Sequence, residues 1–371
     1  MKKGWTYKNF GDIVIFDKRF NGIPKDRQNN VVSFKHVTAE TLKDMLIDYG
    51  NVKLLATGLF SGYTSKEIAG ENINTGEVIT IPSGGNANIK FYKGDFVDSG
   101  NILCIAKDDS SYLKFVHYCL LYQNDFLESC YKGTSIHHPY MPDIWDVKIP
   151  IPDVLTQHSI VSRLDAAFAQ IDALKANADK QLSEAHQLFQ AELTECIRPK
   201  EGWEKKTLGD IVKITHGKNQ KEVQSPDGSY PIYGSGGTIM GYATDFLCEA
   251  NTTILGRKGS INNPQFITER FWNVDTAFGI SPRDNNNSKF IYYFITSIDW
   301  NKKNTGTTLP SLTQLVVSSV PISVPPVDVQ SQIVNRLDSL SSRIKQLEEV
   351  QRKTISECDA LKQAMLKEVF E

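Results

Sequence analysis

Two stretches of the chain are rich in side chains able to hydrogen-bond the edges of nucleic-acid bases. In the N-terminal half they are Ser61, Tyr63, Ser83, Asn86, Asn88, Lys90 and His137, with His138 and Tyr140 beside them. In the C-terminal half they are Lys218, Asn219, Gln220, Tyr233, Ser235, Arg257, Lys258, Ser260 and Asn262, with Asn263 beside them. Arg and Lys suit guanine O6 and N7 in the major groove, and Asn and Gln suit adenine N6 and N7. Each position also has a plainer reading, because Gly-rich loops with Ser and Asn are ordinary turn chemistry. The residue types point to base readout by clustered loops, a weak signal at any single position.

Motifs that would do covalent chemistry are incomplete. Asn263-Pro264-Gln265-Phe266 resembles the Asn-Pro-Pro-aromatic signature of amino-methyltransferases, but the second Pro is missing and no Gly-rich cofactor turn follows a strand. It reads as a loop. Pro142-Asp143 with Asp146 and Lys148 has the residue types of a nuclease metal site, yet the acids are too close in sequence to come from two adjoining strands; this segment is expected to be a strand. Gly234-Ser235-Gly236-Gly237 lacks the GxSxG spacing that presents a nucleophilic hydroxyl on a strand-to-helix turn. No GxxxxGK[ST] loop occurs. His137-His138 has no Cys or carboxylate at ligand spacing, so neither a metal nor a catalytic residue is expected.

The elements that position these loops are written twice. Gly4, Trp5, Lys8, Gly11, Asp12, Ile13 and Val14 recur 198 positions later as Gly202, Trp203, Lys206, Gly209, Asp210, Ile211 and Val212. A second block, from Gly133-Thr134 through Ile160, Val161, Arg163, Leu164 and Asp165 to Leu193, recurs 173 positions later, from Gly306-Thr307 through Ile333, Val334, Arg336, Leu337 and Asp338 to Leu366. The first copy is thus longer by 25 residues (198 − 173). Each copy reads as an opening strand, a divergent body of short β-branched and aromatic runs, a Pro-rich exit and a helix of about forty residues.

In the first helix Ile160, Leu164, Ile171, Leu174, Leu182 and Leu188 fall on one stripe. In the second the stripe is Ile333, Leu337, Leu340, Ile344, Leu347, then polar Gln351, then Ile355 and Leu361. A narrow stripe with charged flanks resembles a coiled-coil seam. Packing of each helix on its own body is the other reading; the matching register favours the helices pairing antiparallel with each other. At ~1.5 Å per residue such a helix is about 60 Å long, a spacer. The expected fold is α+β: strand-rich mixed domains at 1–152 and 198–326 in pseudo-two-fold arrangement, separated by two long antiparallel coiled-coil helices at 153–197 and 327–371. Short helices are expected at Leu113 to Glu128 and Lys289 to Trp300.

With 40% hydrophobic and 23% charged residues, the chain has the composition of an ordinary globular protein. No apolar run approaches a membrane span, and the start Met1-Lys2-Lys3 has no apolar signal segment behind it, so a cytoplasmic location is expected. The six cysteines form no CxxC pair and read as reduced, buried thiols. The net charge of −2 is uneven: 0 over residues 1–152, −4 over 153–197, +3 over 198–326 and −1 over 327–371. Bulk basicity of the kind that holds a duplex unaided is absent, so local patches or a partner must supply the charge.

This layout resembles the specificity subunit of type I restriction-modification systems over nearly the whole chain. The resemblance is carried by Gly202-Trp203 with Leu208-Gly209-Asp210-Ile211, by Tyr230-Pro231-Ile232-Tyr233-Gly234-Ser235-Gly236-Gly237, by Gly256-Arg257-Lys258-Gly259-Ser260, and by Gln330 with Ile333-Val334-Asn335-Arg336-Leu337-Asp338. It implies two target-recognition domains, each reading one half of a bipartite site on double-stranded DNA, with helices that set the gap. It also implies partners: two modification subunits that bring S-adenosylmethionine and adenine N6 methylation, and restriction subunits that bring ATP, Mg and cleavage. No cofactor is expected on this chain. The competing readings are a stand-alone methyltransferase or nuclease, and a coiled-coil protein that only recognises other proteins.

Overall fold

The computed structural model describes residues 4–19, 31–110 and 112–371; Met1–Lys3 of the opening segment lie outside them. The chain divides into two compact units, Met1–Ala176 with Thr354–Glu371, and Asn177–Lys353. Both divisions fall inside the two long helices, Val154–Ile197 and Val327–Phe370. Each unit therefore takes its share of both helices.

The first unit is built on a six-stranded sheet in the order Val14–Phe16, Asn101–Ala106, Asn74–Pro82, Lys90–Ser99, Val52–Ala56, Ser61–Thr64. The strand Asn74–Pro82 lies between two apolar layers. Ile79 and Ile81 face one cluster with Phe115, Val116 and Leu120 of the helix Leu113–Tyr122, while Val78 faces the other with Leu55, Phe96 and Leu103. Period-two alternation between two covered faces explains why Val78, Ile79 and Ile81 are all fully buried.

The second unit repeats the first four strands as Val212–His216, Ala277–Pro282, Thr252–Gly256, Gln265–Ile267 in the same order. Beyond that the two differ. In the first unit the sheet continues through Val52–Ala56 and Ser61–Thr64, whereas in the second the insertion strands Tyr230–Tyr233 and Ile239–Ala243 form a separate sheet with Trp272–Asn273, which lies further along the chain. Ile79 pairs with Cys104 and Thr253 with Ile280, so the offset between copies has already fallen to 174 (253 − 79) at the third core strand. Nearly all of the extra length sits in the insertion before it.

The repeated sequence blocks are the frame of each unit. Thr6–Asn9 pairs antiparallel with Lys148–Ile151 from Thr6↔Ile151, and Glu204–Thr207 pairs with Pro321–Val324 from Glu204↔Val324. Gly11 lies so close to Trp145 that a Cβ would meet its ring at 1.9 Å, and a Cβ on Gly209 would meet Ser318 at 2.8 Å. The segment expected as a strand at Pro142 is instead the short helix Met141–Trp145, with Pro142 in its first turn where no N–H is missed; the strand begins only at Lys148.

Each long helix is fastened to its body by the same two devices. Gln157, fully buried, accepts the Tyr112 N–H at 2.8 Å and donates to the Ser110 and Pro152 carbonyls. Gln330, 1% exposed, accepts the Asn287 N–H at 2.8 Å and donates to Asn286 Oδ1 and the Pro325 carbonyl. Two turns on, Asp165 accepts from Lys114 Nζ at 2.6 Å and the Tyr118 hydroxyl at 2.5 Å, while Asp338 accepts from Lys289 Nζ and the Tyr293 hydroxyl, both at 2.6 Å. Burial and these carboxylates push both phenols well above the usual tyrosine range.

Inside each unit the helix segments also pair with each other, antiparallel. Partner numbers fall on one helix as they rise on the other: Arg163 with Glu368, Asp172 with Lys362 and Lys175 with Asp359 in the first unit, and His186 with Glu348 and Glu192 with Arg336 in the second. The two readings of the helices are both true, because each segment packs on a body and on its partner. Of the expected seam residues, Leu164, Ile171, Ile333, Leu337 and Ile344 are buried and Ile160, Leu182, Leu340, Leu347 and Ile355 half-buried. Leu174, Leu188 and Leu361 are not in the seam: they are 56%, 59% and 50% exposed. Contacts across the pair are made instead at Lys175, which meets Asp359, and at Phe168, which lies under Lys362, while Phe189 packs on Tyr293 of the body. Gln351, a polar break in the stripe, is buried and donates to Gln181 Oε1 at 2.9 Å, the kind of buried amide pair that fixes register.

The end of the second long helix completes the core of the first unit: Leu366, Val369 and Phe370 pack in the cluster of Phe115 and Leu164, and the Phe370 ring lies 5.6 Å from that of Phe115. Leu366→Ala should therefore cost about 2–5 kcal/mol, and hydrogen exchange should report the loss in the strands around Ile79 and not in those around Ile254. Loss confined to the second unit would contradict this packing.

Candidate nucleic-acid interface

Both units carry one loop pair in the same construction. In the first, Ser83–Asn86 leaves the strand Asn74–Pro82 and turns at Gly85 (φ 94), whose N–H donates to the His137 carbonyl at 2.9 Å. In the second, Arg257–Ser260 leaves Thr252–Gly256 and turns at Gly259 (φ 80), whose N–H donates to the Pro310 carbonyl at 2.9 Å. Only glycine takes this backbone without strain, so the turn is specified while its flanking side chains are free to differ. The second loop of each pair is the Gly-Thr segment of the repeated block.

The candidate readers separate into presented and spent groups. Asn86, His137, Lys218, Lys258 and Ser260 are exposed, and their side chains have no hydrogen-bond partner among the described residues. Ser83 is exposed beside them, its carbonyl accepting from His138 Nδ1 at 2.7 Å. Ser235 is half-buried close to Gly259, after the strand Tyr230–Tyr233 and before another strand, so no helix follows it as an activated serine would need. Arg257 is half-buried and spends one donor on the Asp275 carbonyl at 3.1 Å.

Most of the other candidates make side-chain contacts within the protein. Asn88 donates to the Thr57 and Gly58 carbonyls, and Lys90 Nζ donates to Ala56 and Gly58 at 2.6 and 2.7 Å. Tyr233 is buried against Phe271 with its hydroxyl directed to Glu269. Asn262 Oδ1 accepts the Trp300 N–H at 2.7 Å, and Asn219 Oδ1 closes a turn on the Lys221 N–H. Ser61 takes a hydrogen bond from Lys53, which also stands 4.3 Å over the Tyr63 ring. Gln220 is half-buried at the start of the turn that leads to Gln224. As folded, Asn88, Lys90, Tyr233 and Asn262 each hydrogen-bond through their side chains to a distant part of the same unit.

Asn88 and Lys90 hold the segment Thr57–Leu59 against the glycine loop, and between them lies a cleft of about 590 Å³ lined by Asn86, Asn88, Ile89 and Leu121. Burial pulls the Lys90 amine below the usual lysine range, opposed by Asp98. Asp98 belongs to a buried cluster that no local motif announces. His36 bridges Asp17 at 2.5 Å and Asp98 at 2.8 Å, and Asn101 donates to Asp98 at 2.7 Å and to the Leu55 carbonyl at 3.3 Å. Burial opposes charge on His36, but two carboxylate hydrogen bonds and their negative charge overcome it and raise its pKa to about 9. A protonated imidazole is thus what permits two buried carboxylates beneath this loop.

Among the described residues no three or more His, Cys, Asp or Glu come together as a metal site, and Asp143 and Asp146 are engaged with Lys132 and Asn9. All six cysteines are buried, and no described helix is long and apolar enough to cross a membrane.

Comparison with known proteins gives one result. Residues 2–184 and 200–356 match the type I restriction modification DNA specificity domain. The chain is 25% identical over 144 residues to a Haemophilus influenzae protein described as a type I restriction enzyme specificity subunit, covering 37% of each chain. It is 24% identical over 307 residues to a type I specificity subunit of Mycoplasma genitalium, covering 76% of this chain and 78% of the relative. A solved structure reported for complex assembly and conformational transition of the type I R-M system is similar in fold, with TM-score 0.72 at 16% identity over 100% of this chain and 98% of that one.

The raised pKa of His36 fixes a sign for pH dependence. Its stabilisation is fully present below the unfolded value near 6.5 and is lost as pH rises through about 9. The difference in thermal midpoint between the wild type and His36→Gln should be constant on the acid side and shrink from pH 7 to 10. A difference that does not change with pH would remove the charge from His36.

Proposed function

The chain belongs to the type I restriction-modification DNA specificity family, and from that premise we propose that it reads a bipartite site on double-stranded DNA, one half with each unit. The observation that carries this reading is the pair of glycine loops. Their backbones are built alike, yet one presents Ser83 and Asn86 and the other Arg257, Lys258 and Ser260. One scaffold with two sets of donors and acceptors suits two different short base sequences. Among them Arg257 is the guanine reader: one donor is tied to the Asp275 carbonyl and the rest of its fork remains for O6 and N7.

In this reading bond-making and bond-breaking are left to other polypeptides. Modification subunits bring S-adenosylmethionine and methylate adenine N6; restriction subunits bring ATP and Mg. The long helices set the number of unread base pairs and dock the modification subunits. Leu174, Leu188 and Leu361, exposed on these helices, supply apolar surface for that docking. The partners supply the positive charge that the chain, at net −2, lacks for holding a duplex. The complex works where the chromosome is, in the cytoplasm.

Arg257→Ala in the assembled complex should cost about 1–3 kcal/mol of specific binding and relax one half of the methylated motif only. Equal loss on every sequence would make Arg257 a phosphate contact. The isolated chain should transfer no methyl group from labelled S-adenosylmethionine to DNA, whereas its complex with modification subunits should; turnover by the chain alone would reinstate the enzyme reading.

A further inference from the structure

One exposed loop is the same in both units although folding does not require its side chains. Gly133-Thr134-Ser135-Ile136 and Gly306-Thr307-Thr308-Leu309 keep the 173-residue offset of the repeated block. The glycine is forced, since a Cβ on Gly133 would lie 2.1 Å from the Ile136 carbonyl oxygen and one on Gly306 2.0 Å from that of Leu309. The tight return pushes the next three residues outward, and all six are exposed. Neither the hydroxyls of Thr134, Ser135, Thr307 and Thr308 nor the backbone N–H groups of these residues, Ile136 and Leu309 have a hydrogen-bond partner among the described residues.

Each such loop is joined by the glycine N–H bond, through His137 or Pro310, to a loop whose side chains differ between the units. Side chains that differ can encode two half-sites; side chains that are alike cannot. What the common loop meets must therefore be present at both. Its chemistry is donor-rich, and neither Lys132–His138 nor Asn304–Ser311 contains an acidic residue. On a duplex the group that recurs whatever the sequence is the phosphate, and hydroxyls and backbone N–H groups are among its usual partners.

We propose that the two Gly-Thr loops clamp DNA phosphates independently of sequence, one in each unit, and so hold the strand in register while the adjoining glycine loop reads base edges. This rests on the reading of the chain as a DNA specificity subunit.

The test uses the full chain assembled with its modification subunits. Thr134→Glu with Ser135→Glu, and separately Thr307→Glu with Thr308→Glu, place carboxylates against phosphates. Each pair should weaken binding about tenfold or more on cognate and unrelated duplexes alike, with an unchanged methylated motif and an intact complex. The milder Thr307→Ala with Thr308→Ala should give a uniform loss of roughly two- to tenfold, and it serves if the acidic pair lowers the thermal midpoint. A motif altered in one half would make the loop a base reader, failed assembly would make it a contact for a partner protein, and unchanged affinity would remove it from the interface; each overturns the proposal. Failure of the wild-type complex to protect a split site would instead defeat the underlying function.

Discussion

Each unit depends on a buried amide at the base of its long helix. Gln157 and Gln330 satisfy the carbonyl of the proline before the helix and, at the same time, a backbone N–H at the start of the body's own helix. An apolar side chain there would remove the partner of three polar groups, among them the proline carbonyl of a buried bond, whose loss alone costs about 1–3 kcal/mol. With the glutamine in place, the helix must leave the body in one direction, and the carboxylate two turns on locks its rotation through a lysine and a tyrosine. The opening strand, the exit strand, the helix pairing and the loop pair all inherit that geometry.

This constraint explains what has diverged and what has not. The repeated blocks lie mostly in the long helices and in the opening strands that feed them. The insertion between Val14–Phe16 and Asn74–Pro82, with its counterpart between Val212–His216 and Thr252–Gly256, is where the units differ in length, in sheet connection and in chemistry. The first unit extends its sheet and holds half-buried His36 between two buried aspartates; the second has a separate three-stranded sheet around Tyr233 and Trp272. A fixed mount with an exchangeable insert is what a protein needs if its ligand sequence changes while its assembly must not.

Much of this was legible in the residues. The two offsets located the frame, proline-bounded stripes located the helices, and short β-branched runs located the central strands. Three things were not legible, for physical reasons. Leu174 and Leu188 fall off the seam, while Lys175 pairs across it and Phe189 packs on the body, because a stripe does not say which neighbour takes it. Lys90, Asn88, Tyr233 and Asn262 have the residue types of readers, but each finds an internal partner distant in sequence. The His36 cluster joins residues 19 and 62 positions apart, with no periodicity to betray it. By contrast, the turns at Gly85 and Gly259 are a local demand, since a left-handed backbone is one that a single residue type answers.

Leu366, Val369 and Phe370 belong to the same core as Phe10 and Ile13. On a ribosome these partners emerge at opposite ends of synthesis, so the unit begun first is the one finished last. Asn177–Lys353 can condense as a continuous stretch while its predecessor waits with open apolar surface. A product broken off by premature termination would carry that surface permanently, and quality-control proteases would find it before it could occupy a place in an assembly.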